Sequence, residues 1–105
     1  MSSPPSSQPN SSDAAADLAR ICRALSTDTR VRIVQLLQDQ PLCVNALAAR
    51  LGVTHSAVSQ HLRVLREAGL VAPDRRGAWV HYRLNDEAAR EWGAAISALL
   101  DHGTG

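Results

Sequence analysis

Residues Leu47–Ala68, LAARLGVTHSAVSQHLRVLREA, constrain this chain more than any other stretch. Leu47 to Leu51 ends a short helix, and Gly52 can take the left-handed backbone conformation that stops a helix at little cost. Thr54 then offers a hydroxyl to the free N–H groups at the start of a second helix. The result is a helix, a tight glycine-bearing turn and another helix. In the second helix Val58, Leu62 and Leu65 recur at helical spacing and form one apolar stripe. Ser56, Ser59, Gln60 and Arg63 recur at the same spacing on the other face. Small hydroxyls, an amide and a guanidinium hydrogen-bond base edges and phosphates in a major groove. The same residues also suit an ordinary solvated helix face, so the choice between the two rests on the residues downstream.

A chain of 105 residues, 45% hydrophobic and 20% charged, fits one small globular domain. It has no Phe, so its core is built from Leu, Val, Ile and Ala. Small domains bury a lower fraction of their surface and often dimerise. No apolar run approaches the roughly 20 residues that cross a membrane. The first residues lack the charged start and apolar middle of a secretory signal. With no such signal, Cys22 and Cys43 are expected to be reduced thiols in a cytoplasmic protein. The net charge of +1 hides an uneven distribution: from Arg50 to Arg83 six arginines face only Glu67 and Asp74. After Leu84 the balance reverses, with Asp86, Glu87, Glu91 and Asp101 against Arg90. A basic middle beside an acidic end suits a nucleic-acid surface next to a different interface.

Along the chain, residues 1–12 (MSSPPSSQPNSS) are low-complexity, with almost nothing to bury, and are expected to be a disordered tail. Residues 13–105 are expected to form one DNA-binding and dimerisation domain. Ser12 or Asp13 can cap a first helix running to about Leu25, with Leu18, Ile21, Cys22 and Leu25 on one face. Asp28 is predicted to cap a second helix through about Gln38, and Val31, Ile33, Val34, Leu36 and Leu37 make it the most buried one. Pro41 opens a new segment, and Val44 to Leu51 is the third helix. After Gly69, Leu70-Val71 reads as a short strand, Pro73 to Gly77 as a turn, and Ala78 to Leu84 as a second strand. In that strand Val80, Tyr82 and Leu84 face inward, and Trp79, His81 and Arg83 face the other way. Arg75 and Arg76 then stand at the hairpin tip, placed to grip a phosphate backbone or enter a minor groove.

Asn85 or Asp86 caps a last helix to about His102, bearing Trp92, Ile96 and Leu99. With much of the core supplied by the second to fourth helices, this helix and the first are read as a dimer interface of Leu18, Ile21, Trp92, Ile96 and Leu99. Trp92 is placed at its centre, where aromatic anchors carry much of the binding energy. Trp92 as a residue of the chain's own core is the alternative.

This order of elements resembles the ArsR/SmtB family of small dimeric winged-helix repressors. The resemblance rests on ALSTDTRVRIVQLL (Ala24–Leu37), PLCVNALAARLGVTHSAVSQHLRVLREAGLV (Pro41–Val71) and RRGAWVHYRL (Arg75–Leu84), with the pattern SxxSxHLxxLxxAGLV from Ser56 the most specific part. It implies a mainly α fold with a small β-hairpin, a winged helix-turn-helix of order α-α-α-α-β-β-α. It also implies a homodimer that binds two-fold double-stranded operator DNA and represses transcription. Carried over by position, Thr54, His55, Ser56, Ser59, Gln60 and Arg63 face the groove, with Arg75 and Arg76 on the wing.

Many members of that family release DNA on binding a thiophilic metal or metalloid, others respond to thiol oxidation, and some have no known inducer. Arsenic-responsive members carry Cys-Val-Cys where this chain has Cys43-Val44-Asn45, and an amide is a poor ligand for soft metals. The zinc-responsive set on the last helix is also incomplete, with only Asp86 and His102 present. A soft metal or metalloid, or an oxidant, is left with Cys22 and Cys43, and the burial common for cysteine is the competing role for both. No cofactor is required otherwise. His55 is read as a phosphate or base contact, His61 as a packing residue with a local hydrogen bond, and His81 as exposed. An enzyme is not expected, since glycine-rich phosphate loops, paired carboxylates and nucleophile elbows are missing. A winged-helix module for protein contacts, or a regulator without a metal response, is the alternative function.

Overall fold

The computed structural model describes residues 9–101, with side chains from Ala14 onward. Its elements are α1 (Pro9–Ala24), α2 (Asp28–Asp39), α3 (Val44–Leu51), α4 (His55–Glu67), β1 (Val71–Arg76), β2 (Trp79–Leu84) and α5 (Asp86–Leu100). This is the α-α-α-α-β-β-α order of a winged helix-turn-helix. The expected tail lies outside the described residues as far as residue 8, and α1 begins at Pro9 rather than at Ser12 or Asp13. His102 lies outside them as well.

Local chemistry sets the helix ends. Gly52 takes φ 67° and ψ 33° and donates its N–H to the Ala48 carbonyl at 2.9 Å, closing α3. Thr54, extended, accepts the Ala57 N–H on its hydroxyl at 3.0 Å and opens α4. The cap of α2 is Thr27, whose hydroxyl accepts from Arg30 N, and Asp28, expected there, is instead the first helical residue. Asn85 caps α5 by accepting the Ala88 N–H at 3.1 Å.

The core gathers on one side of α4. Val58 and Leu65 are fully buried and Leu62 nearly so, against Ile33 and Leu37 of α2, Leu47 of α3, Leu70, Val71 and Leu84. Burying each such side chain contributes about 1.5–3 kcal/mol. Three expectations about burial are corrected. Cys22 is exposed, because the helix period sets it more than a quarter-turn from Ile21 and nearly opposite Ala24, which both face the core. Val31 is also exposed, nearly opposite Ile33 around α2, so α2 buries one stripe (Ile33 and Leu37) and not most of its surface. Trp92 is only 7% exposed and packs in the chain's own core, as does Ile21. Neither is available as the centre of an interface with another molecule.

The wing is a longer and tighter hairpin than expected. The strands pair antiparallel from Val71↔Leu84 to Arg76↔Trp79, leaving Gly77-Ala78 as a two-residue turn, with Gly77 at φ 66°. Pro73 is therefore part of β1 and not of the turn. Its partner is Tyr82, whose N–H and C=O are both engaged by Leu42 on the other side, at 2.8 and 3.0 Å. Pro73 thus sits at a position not hydrogen-bonded to β2, where its missing N–H costs nothing. At the base of the wing, Asn85 N–H donates to the Leu70 carbonyl (2.8 Å) and Asn85 Nδ2 to the Gly69 carbonyl (3.2 Å), joining the start of α5 to the end of α4. His81, expected to be exposed, is half-buried, with its Nδ1 shut off from solvent and without a hydrogen-bond partner.

Candidate nucleic-acid interface

α4 divides cleanly into two faces. Opposite the buried Val58, Leu62 and Leu65, the side chains of His55, Ser56, Ser59, Gln60 and Arg63 are all exposed and together line a shallow depression of about 280 Å³. Thr54 stands beside them at the cap, exposed, with its oxygen accepting from Ala57 and its hydroxyl proton left for an outside acceptor. The helix presents hydroxyls, an amide, an imidazole and a guanidinium in one row, the donor and acceptor set that reads base edges.

Its orientation is held from behind by a contact that sequence reasoning missed. Arg30 of α2 donates from Nη1 to His61 Nδ1 at 3.1 Å, from Nε to the Ala24 carbonyl at 2.7 Å, and from Nη2 to the Arg23 carbonyl and Ser26 Oγ, both at 3.2 Å. Because a guanidinium only donates, His61 Nδ1 is the acceptor and its ring proton sits on Nε2. His61 does form a hydrogen bond, but to a residue 31 positions away. Arg20 Nη1 adds a bond to the Ala68 carbonyl at the end of α4 (3.1 Å). The end of α1, the start of α2 and the middle and end of α4 are thereby one hydrogen-bonded unit. The only local signal was an arginine in the first turn of α2, where a positive charge opposes the helix dipole and so asks for another role.

The two wing arginines part company. Strand alternation sends Arg75 and Arg76 to opposite faces. Arg75 lines a second depression, about 420 Å³, together with His55, Arg66, Cys43 and Trp79. Arg76 is turned to Asp74, with Nη2 and Nε at 3.0 and 3.2 Å from Oδ2, so its charge is already partnered. Since His55 borders both depressions, the surface from Arg63 to Arg75 is continuous.

Cys22 is exposed on α1, Cys43 half-buried at the cap of α3, and both thiols are free. Among the described residues no cluster of three or more His, Cys, Asp or Glu is placed to hold a metal ion. No helix among them is long and apolar enough to cross a membrane. Away from the α4 face, Leu18 and Leu99 line an apolar groove of about 420 Å³ with Ala14, Ala15, Ala95 and Ala98, and Leu99 and Leu100 are 60% and 68% exposed.

A helix-turn-helix with a polar outer row and a basic wing defines a DNA-binding regulator of the winged-helix class. The profile of the bacterial regulatory proteins of the arsR family matches residues 27–72. The chain is 46% identical over 80 residues to the HTH-type transcriptional regulator NmtR of Mycobacterium tuberculosis, covering 76% of this chain and 67% of that one. It is 38% identical over 78 residues to the arsenical resistance operon repressor of Escherichia coli, covering 73% and 66%. The structure of an ArsR-like transcriptional regulator from Rhodococcus superposes with a TM-score of 0.73 at 30% identity, over 80% of this chain and 77% of that one. The aligned stretch spans about two thirds of the two curated relatives. This chain belongs to the ArsR/SmtB family; it is a DNA-binding transcriptional regulator.

Proposed function

We propose that this chain is a homodimeric repressor that reads a two-fold operator through α4. The observation that carries the reading is the division of α4: an unbroken exposed row from His55 to Arg63 over a stripe with almost no exposure. A face built for protein contact exposes more large apolar side chains. The dimer is assigned to the groove formed by half-buried Leu18 of α1 and exposed Leu99 of α5, with Ile96 half-buried between them and the core and Ile21 and Trp92 stiffening both helices from beneath. Two-fold pairing puts two copies of α4 into successive major grooves about 34 Å apart. Thr54, His55, Ser56, Ser59, Gln60 and Arg63 supply the groove contacts, and Arg75 supplies the phosphate contact of the wing.

Fluorescence anisotropy of the reduced protein on the duplex upstream of its own gene, against a scrambled duplex, tests this. Specific binding is expected, and Arg63→Ala weakens it by about 1–3 kcal/mol. An unchanged affinity in that variant rejects the α4 face, and no preference over the scrambled duplex favours a protein-contact module. The inducer is assigned to the two thiols, the soft ligands this chain offers. Release of the duplex by As(III), Cd(II), Zn(II) or a mild oxidant, lost in Cys43→Ser, supports that role. A complex that none of these disturbs makes Cys22 and Cys43 purely structural.

A further inference from the structure

Trp79 is 63% exposed, the one large aromatic left open among the described residues. An indole offers one of the largest apolar surfaces of any side chain, and the described residues leave most of this one open. It opens β2 directly after the Gly77-Ala78 turn, opposite Arg76. It also borders the depression shared by Arg75, Arg66 and His55, and His55 leads from there to the α4 row. Leu99 of α5 shares an apolar groove with Ala14, Ala15 and Leu18 of α1, whereas Trp79 stands across from Arg76 and at the edge of the depression that Arg66 and Arg75 line. An apolar plate framed by guanidinium groups fits a polyanion that also has an apolar surface, which describes the sugar and base edges of duplex DNA.

We propose that Trp79 is a DNA-contacting residue of the wing, packing its indole into the minor groove that flanks the major-groove site and aiming its ring N–H at the acceptor atoms there. Apolar side chains inserted at base steps are a recurring means of reading minor-groove shape, and the N3 and O2 acceptors of A·T pairs present no amino group to obstruct the ring. Trp79 then sets the preference of the protein for base pairs that α4 does not touch. The proposal rests on the operator-binding reading above.

The chain's two tryptophans provide the test, because Trp92 is buried and stays in place. The duplex is one enriched on the immobilised full-length protein from a random pool. The emission of Trp79 is the difference between wild type and Trp79→Phe. At saturating duplex this emission is expected to become several-fold less accessible to acrylamide. Trp79→Ala is expected to bind about tenfold more weakly, and replacing flanking A·T pairs by G·C weakens the wild type but not this variant. Full occupancy by anisotropy with Trp79 still freely quenched, or an unchanged affinity in Trp79→Ala, overturns the contact and leaves the operator reading standing. A Trp79→Ala protein that changes its oligomeric state but keeps its affinity assigns the indole to a second copy of the chain instead. A pool that enriches no sequence overturns the operator reading and this contact together.

Discussion

Replacing Arg30 by Ala removes four hydrogen bonds at once. Those to the Ala24 carbonyl and His61 are partly buried, whereas those to the Arg23 carbonyl and Ser26 are exposed and replaced by water. Taking about 1 kcal/mol for each sheltered bond, with an increment for the donor's charge, the expected loss is about 2–3 kcal/mol. Against a total stability of roughly 5–15 kcal/mol for a domain, this is a large fraction. In urea it lowers the unfolding midpoint by roughly 1–2 M at the slope usual for small proteins, with protein concentration held constant because the proposed dimer would add to stability. The specific claim is that Arg30 acts through His61. A double-mutant cycle of Arg30→Ala and His61→Ala should therefore show a coupling of about 1 kcal/mol. Arg30→Lys should restore only part of the loss, since an ammonium cannot reproduce the fork that reaches the helix end and the imidazole together. Additive losses in the cycle, or a midpoint unchanged in Arg30→Ala, would refute the link between α2 and the middle of α4.

The other predictions concern α5 and the wing. Trp92→Ala should cost about 3–5 kcal/mol as a core truncation, seen as loss of the cooperative thermal transition, whereas Leu99→Asp should keep the helical circular dichroism and sediment as a monomer. A Trp92→Ala protein that is a stable monomer would return that residue to the interface. On the wing, Arg75→Ala should lower the slope of log K against log salt by about one. Arg76→Ala should change it less, since Asp74 already holds that charge. Equal slopes for the two variants would show that the ion pair opens on DNA.

What was legible in the sequence was local. Gly52, Thr54 and the spacing of Val58, Leu62 and Leu65 act within a few residues of one another, and each appears where expected. Readings that depended on a partner elsewhere fared less well. An apolar stripe on a helix does not say whether the same chain or another covers it, so the spacing alone sends Trp92 outward although α5 turns it into the core. The pairing of Arg30 with His61 crosses 31 positions and leaves no periodic trace. Pro73 reads as a breaker because the register that makes it harmless is set by Leu42, distant in sequence. The opposed directions of Arg75 and Arg76 likewise emerge only once the turn is known to be Gly77-Ala78. The exposed row of α4 was legible because one helix carries it from His55 to Arg63.

The wing is anchored at its base, to Leu42 through Tyr82 and to Gly69 and Leu70 through Asn85. A change in its length is therefore absorbed at the Gly77-Ala78 end. Side chains alternate along a strand, so one residue added to each strand below Arg75 would rotate that guanidinium from the His55 side to the far side. Two added to each would put it back. Wing length in proteins of this build thus works as a parity rule, with the even steps able to lengthen the reach along DNA while keeping the same side of the ribbon toward it.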